Sequence, residues 1–473
     1  MRLVRKDGTV KLAVVATVFL MGASVWGQDA PAASSQDQSG SQGAQPSGSE
    51  YGGPSLLDRG EAPSVLRGGD FARLTPYLGV TGIYYSDVTG TAVDALGSPI
   101  YQPGYGVSAM FGITGTHKWS RSELDLEYHG YYTDFTQVNQ ERGFDNSLNL
   151  TFQHQLRPRL SLTLTENLAR VRRPYSLPLG MLYGGGTSGF NPLYNGLTAN
   201  NLLNAPTLAS VSGARLAYQL TARWSVSAGG TGIVSRQNLT QTIGVNGYVA
   251  DGDIAYRLSR YQTISFGYSF THFGYVGQFG QTDIHGVGLS YSVRLGRYWE
   301  LGASAGVSRA ESLGDLAVTL DPVLAQLLGF DTVFEKVHDV LYMPTGALHL
   351  TRSFRHSSWT ANYSRSVIGG QGLYTTSTYE TAALSYSYWG LRRLSLDAGA
   401  GYFRYSALNE SLGRYRSFGA SGGFSVPMGK GFSSIGRIDW RHSSVGNPQV
   451  DRQSSIASLG IAWSPRGYPV SLW

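Results

Sequence analysis

The segment Glu123-Leu-Asp-Leu-Glu-Tyr-His-Gly-Tyr131 decides the fold of this chain. Large apolar side chains alternate along it with ionisable ones. The apolar set is Leu124, Leu126 and Tyr128, and the ionisable set is Glu123, Asp125, Glu127 and His129. A period of two predicts a β-strand, because successive side chains of a strand point to opposite faces. One face of this strand is therefore expected to meet an apolar environment and the other to meet water.

The same alternation recurs from Phe71 onward, in runs of about ten residues. Further examples are Leu160–Glu166, Asp253–Leu258 and Arg437–Arg441, and we expect their ionisable side chains on one parity only. Strands of this length with one apolar and one polar face are typical of transmembrane β-barrels. A propeller or solenoid would add a fixed repeat and a sandwich array would add regular linkers, and the sequence has neither.

Short, basic connectors join the predicted strands in pairs. They are His117–Ser122, Arg157–Arg159, Thr221–Arg223, Ser259–Tyr261, Gly296–Arg297, Ser353–Ser358, Gly390–Arg393 and Met428–Gly431. They alternate with longer, Gly- and Asn-rich connectors, which include Tyr85–Tyr105, Arg173–Pro206 and Ala310–Val340. In a membrane barrel the short turns face the periplasm and the long loops face outside, so loop length predicts the orientation.

Eight short connectors, with both ends of the barrel on the periplasmic side, predict about 18 strands, within a range of 16 to 20. The predicted fold class is all-β, an antiparallel up-and-down transmembrane β-barrel. Aromatic residues gather near the predicted strand ends, most of them beside the short connectors, as in the girdle of a membrane barrel. They are Trp119, Trp224, Tyr261, Trp299, Trp359, Trp389, Trp440 and Trp463.

The N-terminal residues follow a different pattern. Basic residues, an apolar run from Leu12 to Met21 and small residues up to Gly27 predict a cleaved signal peptide over residues 1–27. Residues 28–70 are rich in Ser, Gln, Gly and Pro and predict a flexible periplasmic linker, so the barrel is expected over residues 71–473. The chain has no cysteine, which excludes disulfides and lipoprotein acylation.

Composition supports this class of protein. Charged residues make up only 14% of the chain, while Gly numbers 62 and Tyr 30, which suits strands with one wet face and permissive turns. The basic residues are spread along the chain and form no polybasic patch, so nucleic acid is excluded as a partner.

The ionisable residues on the polar parity are the candidate lumen-lining residues. They are Glu123, Asp125, Glu127, His129, Asp251, Asp253, Arg257, Arg437, Asp439 and Arg441. Rings of such groups set the ion or solute preference of a pore. The alternative is that they pair with one another and only brace the wall. A metal site is not expected, because the four groups of the first strand extend over roughly 20 Å, and no cofactor is expected.

Two long connectors are candidates for a constriction or an external receptor surface, and the alternative is a cap over the mouth. Arg173–Pro206 is long enough to fold into a barrel. Within Ala310–Val340, the segment Asp321–Gly329 predicts a short helix, because Asp321 caps it and Pro322 occupies its first position.

The end of the chain carries a resemblance. Ile456–Trp463 predicts a last strand, and the chain closes on the aromatic Trp473, although Ser464–Val470 intervenes. With the pattern of residues 71–473, this ending resembles bacterial outer-membrane β-barrels of the porin type, some of them associated with exopolysaccharide export. The resemblance implies a place in the outer membrane of a Gram-negative bacterium. It also implies the barrel-assembly machinery, outer-membrane lipids and lipopolysaccharide as partners.

Three functions are compatible with this sequence. The first is a channel that passes small polar solutes or glycans, the second a component of exopolysaccharide secretion, and the third a structural or adhesive surface barrel with a closed lumen. A homo-oligomer is compatible with all three. An enzyme is not expected, because the nine histidines are scattered and none lies beside a nucleophile motif.

Overall fold

The computed structural model describes residues 73–87, 101–136, 143–171, 207–237, 244–276, 280–319, 332–369, 376–391, 394–407, 414–445 and 450–465. These residues form strands joined by tight turns. The strands are β1 (Arg73–Tyr85), β2 (Gly104–Lys118), β3 (Ser122–Phe135), β4 (Gly143–Arg157), β5 (Leu160–Val171), β6 (Thr207–Gln219), β7 (Trp224–Gln237), β8 (Gly244–Ser259), β9 (Gln262–Val276), β10 (Gly280–Leu295), β11 (Trp299–Thr319), β12 (Thr332–Ser353), β13 (Ser357–Gly369), β14 (Thr376–Leu391), β15 (Leu394–Ala407), β16 (Arg414–Gly429), β17 (Phe432–Val445) and β18 (Val450–Trp463).

The strands form one closed antiparallel sheet. Each strand pairs with its neighbours in chain order, and β18 pairs with β1 from Leu78 opposite Trp463 to Tyr85 opposite Ile456. The described residues thus contain the 18 strands and the up-and-down order that the sequence predicts. Among the same residues, no helix is both long enough and apolar enough to cross a membrane.

All eight basic connectors lie where one strand ends and the next begins, at one end of the barrel, which we call the short-turn end. The opposite end is the long-connector end. The turn between β16 and β17 needs a left-handed backbone, with φ of 97° at Gly429, 53° at Lys430 and 83° at Gly431. Glycine adopts such angles without steric cost, which explains the two glycines at this position.

The predicted bounds of one long connector are wrong. We expected Ala310–Val340 to be a long loop, but β11 continues to Thr319 and β12 already begins at Thr332, paired residue by residue. The pairing of β10 with β11 ends at Gly314, and that of β13 with β12 ends at Gly346. The hairpin therefore extends past its neighbours as a two-stranded ribbon. Gly and Asp at 314–315 are turn-forming residue types, yet the ladder of backbone hydrogen bonds continues through them.

Several predictions concern residues outside the described ranges. They are the signal peptide (1–27), the linker (28–70), the connector Arg173–Pro206, the short helix at Asp321–Gly329 and the terminal Trp473. These stay predictions.

The two faces of the sheet differ in exposure. Outward side chains are large, apolar and exposed, as shown by Ile438 on β17 (64%) and Leu459 on β18 (62%). Their inward neighbours on the same strands, Ile435 (0%) and Ala462 (1%), are buried. The alternation seen in the sequence thus separates an outward apolar face from an inward face that is mostly polar or small.

Aromatic residues mark both ends of the outward face. At the short-turn end, Trp299 and Trp359 pack edge to face with ring centroids 5.4 Å apart, and the guanidinium of Arg352 lies 4.6 Å from the Trp299 ring. Trp440 was predicted with this group but lies towards the long-connector end, where its ring is 5.7 Å from that of Phe418. The barrel therefore has a second aromatic belt, which the tryptophan pattern alone did not separate from the first.

The close packing of the seam between β1 and β18 can be tested by a substitution at Gly460. A Cβ at this inward position would overlap the carbonyl oxygen of Val80 and lie 2.6 Å from Cα of Thr81. We expect Gly460→Ala to destabilise the barrel by about 1–3 kcal/mol through overpacking. The measurement is the temperature at which the barrel loses its compact electrophoretic mobility in SDS.

Gly82 provides the matched control on the same seam. A Cβ there would meet only the carbonyl oxygen of Leu459, at 3.9 Å. Gly82→Ala should therefore unfold close to the wild-type temperature, and equal losses in the two variants would contradict the proposed overlap.

Candidate functional site on the inner wall

The ten predicted lumen residues all lie on the inward face. They are Glu123, Asp125, Glu127 and His129 on β3, Asp251, Asp253 and Arg257 on β8, and Arg437, Asp439 and Arg441 on β17. Tyr77 on β1 reaches past β2 to hydrogen-bond Nδ1 of His129 on β3, a contact that only the concave face of a closed sheet allows. Their part in solute passage stays a prediction.

The carboxylates of β3 are each held by a neighbouring strand. Nζ of Lys118 lies 3.0 Å from Glu123, and the hydroxyl of Thr116 donates to Asp125 at 2.5 Å. Glu127 accepts a hydrogen bond from Nδ2 of Asn149 at 3.2 Å. These three carboxylates form an acidic row along β3, and Lys118 is the cation paired with it.

His129 ends this row in a fully buried position. Its Nε2 lies 2.8 Å from Oε1 of Glu127, while Nδ1 contacts the hydroxyl of Tyr77. Both ring nitrogens are thus engaged by the wall. His129 therefore connects β1 to β3 and braces the wall, which is the alternative role considered for these residues.

A second group forms around Arg437 on β17, whose side chain is only 7% exposed. Its Nε donates to both carboxylate oxygens of Asp439 at 2.9 Å, and its Nη1 lies 3.6 Å from Asp397 on β15. One arginine is thus shared by two carboxylates. The sequence pattern predicts Arg437 and Asp439 as lumen residues but not Asp397, which lies two strands away and is brought near only by the register.

A third group forms around Arg215 on β6. Its guanidinium pairs with Asp251 and lies 3.0 Å from Asp253, both on β8, and donates to the hydroxyl of Ser227 on β7 at 2.5 Å. Again two carboxylates share one arginine. Arg215 is not among the predicted residues, although its parity opposite Leu216 is a sequence signal for the inward face.

An apolar cluster also lies on the inward face. Tyr77, Met110, Ile435 and Ala462 are buried together, and Tyr131 packs against them. The sequence pattern does not predict this cluster, because its members come from strands on both sides of the β1–β18 seam. The wall around the seam is therefore thick, with large side chains that project inward.

The other two candidates lie on the same strands as two of these groups, and the charge of Arg441 faces the carboxylate of Asp439. Arg257 is opposite Thr263, close to the short-turn end. Arg441 lies on β17 opposite Ser454, towards the long-connector end. The ten residues are thus divided between the region around the seam, where Glu127 of β3 and Arg437 of β17 both lie near Tyr131, and the group on β6 to β8. Among the residues that the structure describes, no group of three or more metal-ligating side chains occurs.

One expectation about parity is wrong. Glu166 lies on the outward face of β5, on the same parity as Leu164 and Leu168, and its Oε1 accepts a hydrogen bond from Ser210 at 3.0 Å. The sequence already places Glu166 in phase with the leucines. Its charge is therefore an exception to the separation of polar and apolar faces.

Comparison with solved structures finds similarity to bacterial porins. The chain is similar to OccK9 (OpdG) of Pseudomonas aeruginosa, with 15% identity, a TM-score of 0.37 and coverage of 83% of this chain and 98% of the other. It is also similar to a BenF-like porin of Pseudomonas fluorescens Pf-5, with 10% identity, a TM-score of 0.38 and coverage of 83% and 98%. TM-scores this low support no conclusion about activity. No protein-family model matches the chain, and no curated protein matches it.

Arg437 can be tested as the cation that holds its part of the wall together. Arg437→Gln leaves Asp397 and Asp439 close together without the cation that they share, which should destabilise the barrel by about 3 kcal/mol. The measurement is urea unfolding in detergent micelles, followed by tryptophan fluorescence.

The matched control removes all three charges, in Arg437→Gln combined with Asp397→Asn and Asp439→Asn. This variant leaves no carboxylate beside the vacated position of Arg437, so it should recover most of the lost stability. A triple variant as unstable as the single one would show that packing, and not charge, is what Arg437 contributes.

Proposed function

We propose that this chain is an outer-membrane channel that passes small hydrated polar solutes and prefers cations. The observation that carries the proposal is a closed 18-stranded sheet with an apolar outward face and a polar inward face. A closed sheet leaves no unpaired strand edge, which is the condition for strands to cross a bilayer. Export through a signal peptide and insertion by the barrel-assembly machinery belong to the same proposal.

The outward face supports the membrane placement. Leu78, Phe266, Leu289 and Ile438 are each exposed by half or more, and apolar surface left in water costs roughly 25 cal/mol per Å². Lipid removes this cost over an apolar band about 25 Å tall. The two aromatic belts, one at each end of the outward face, fit the two boundaries of such a band.

The inward face supports an open path. Its residues in the half of β9 to β11 nearer the short-turn end are small, in contrast to the thick wall at the β1–β18 seam. They are Thr263, Ser265, Gly267 and Ser269 on β9, Gly286, Gly288, Ser290 and Ser292 on β10, and Gly302, Ser304, Gly306 and Ser308 on β11. Because the diameter of a barrel grows with strand number, 18 strands enclose more space than these side chains fill.

The charge groups support the cation preference. Arg215 faces two carboxylates, and the acidic row on β3 has three for one lysine. These two groups thus carry more negative than positive charge, whereas the two carboxylates at Arg437 are balanced by a second cation, Arg441. Charged rings on a narrow aqueous path attract counter-ions and exclude co-ions.

The first test is conductance of the full-length chain in planar lipid bilayers. We expect discrete single-channel steps in KCl, because the lumen is expected to be continuous and wet. A barrel that inserts but never conducts would contradict the channel and would favour a structural or adhesive barrel with a closed lumen.

The second test concerns the acidic row. Glu123→Gln combined with Asp125→Asn should lower the ratio of cation to anion permeability, by about twofold at 0.1 M KCl and more at lower salt, where the screening length exceeds ~10 Å. The ratio is measured from the reversal potential in a KCl gradient. Glu166→Gln removes an outward carboxylate and should leave the ratio unchanged, whereas equal effects would assign the selectivity to charges outside the lumen.

A further inference from the structure

The outward face of β13 to β16 changes its chemistry in three successive rows of cross-strand neighbours. The first row, in mid-strand, is Ala361, Leu384, Ala400 and Ala420. The second row, two residues closer to the long-connector end, is Tyr363, Ala382, Tyr402 and Phe418. The third row is Arg365, Glu380, Arg404 and Arg416. We call this third row the arginine row.

On the described residues of β13 to β16, the arginine row carries more positive than negative charge. Nη1 of Arg404 is 3.9 Å from Glu380, and Glu380 also accepts a hydrogen bond from the hydroxyl of Tyr363 at 2.7 Å. On β13 to β16, Glu380 is the one carboxylate of this row against three arginines. Arg404 and Arg416 are direct cross-strand partners, and like charges in this position destabilise a sheet.

The depth of the arginine row along the outward face indicates which chemical group compensates its positive charge. Aromatic side chains of a membrane barrel lie at the boundary between hydrocarbon and headgroups. Tyr363, Tyr402 and Phe418 occupy that position, so the arginine row lies one step further out, among the headgroups. Lipid phosphates are the anions present there, and the planar guanidinium matches a phosphate with two parallel hydrogen bonds.

We propose that the arginine row binds the phosphate groups of membrane lipids in the leaflet at the long-connector end, as in the diphosphorylated lipid A portion of lipopolysaccharide. The bound phosphates offset the repulsion between Arg404 and Arg416. This inference rests on the proposed membrane location, and it adds a specific lipid-binding surface to the channel.

Arg309 on β11 provides a control on the same outward face. Its Nη2 is 2.8 Å from Oε2 of Glu311, and Oε1 of Glu311 is 2.8 Å from Nε2 of His338 on β12. The charge of Arg309 is therefore compensated by the protein. Its removal should not affect binding of an anionic lipid.

The experiment measures lipid enrichment around the full-length barrel in phosphatidylcholine vesicles. Energy transfer from tryptophan to pyrene-labelled lipid A reports the enrichment, with diphosphorylated and dephosphorylated lipid A compared. The wild type should enrich the diphosphorylated form. The variant Arg365→Gln, Arg404→Gln, Arg416→Gln should lose this preference by on the order of tenfold, since each charge near a membrane surface contributes substantially to anionic lipid binding.

The controls separate charge from fold. The corresponding variant with three lysines should keep most of the preference, and Arg309→Gln should keep all of it. SDS mobility without heating confirms that each variant is folded. If the triple glutamine variant does not fold, Arg416→Gln alone, which removes the like-charge pair, should lower the preference about threefold.

Two results would overturn the inference, namely a folded glutamine variant with wild-type enrichment or an equal loss in Arg309→Gln. Conductance of the same preparations keeps this inference distinct from the proposed function. Conductance without phosphate-dependent enrichment would remove the lipid surface alone, and enrichment without conductance would remove the channel alone.

Discussion

The closure of the sheet between β1 and β18 is the constraint on which the rest of this structure depends. Backbone N–H and C=O groups that face lipid have no water to bond, so an open edge would leave a row of them unsatisfied at several kcal/mol each. Residues from Leu78 to Tyr85 supply the partners that β18 needs. The seam joins strands nearly 400 positions apart in the sequence, and it forms from small inward residues such as Gly460 and Ala462.

Closure also creates an inward face, and the size of the side chains on this face differs from one part of the wall to another. Large buried side chains around the seam make one part of the wall thick, while serines and glycines make β9 to β11 thin in their half nearer the short-turn end. The ion pairs belong to the wall as well. Asp397, Arg437 and Asp439 span β15 to β17, and Arg215 spans β6 to β8 with its aspartates. Such groups stabilise the wall, and the group at Arg215 leaves a surplus of negative charge on it, so bracing and selectivity need not exclude each other.

The side chains of the outward face change from apolar to charged along the strand direction. On β13 to β16 the side chains pass from alanine and leucine to tyrosine and phenylalanine and then to arginine within a few residues. This order follows the composition of a lipid leaflet from hydrocarbon to headgroup. The inward face of the same strands differs from it, with serine and glycine in mid-strand and the buried aromatic cluster of Tyr379, Phe403, Tyr405 and Tyr415 near the long-connector end.

The sequence by itself determined the strand count, the position of the short turns and the parity that faces inward. These follow from short-range rules, since a period of two and a tight turn are complete within about ten residues. Glu166 is the exception, because its charge lies on the parity of the leucines of β5. The tertiary structure alone decided which polar and charged side chains contact one another. Asp397 reaches Arg437, and His129 reaches Tyr77, only through the register and curvature of the closed sheet, which bring together residues that no local pattern connects.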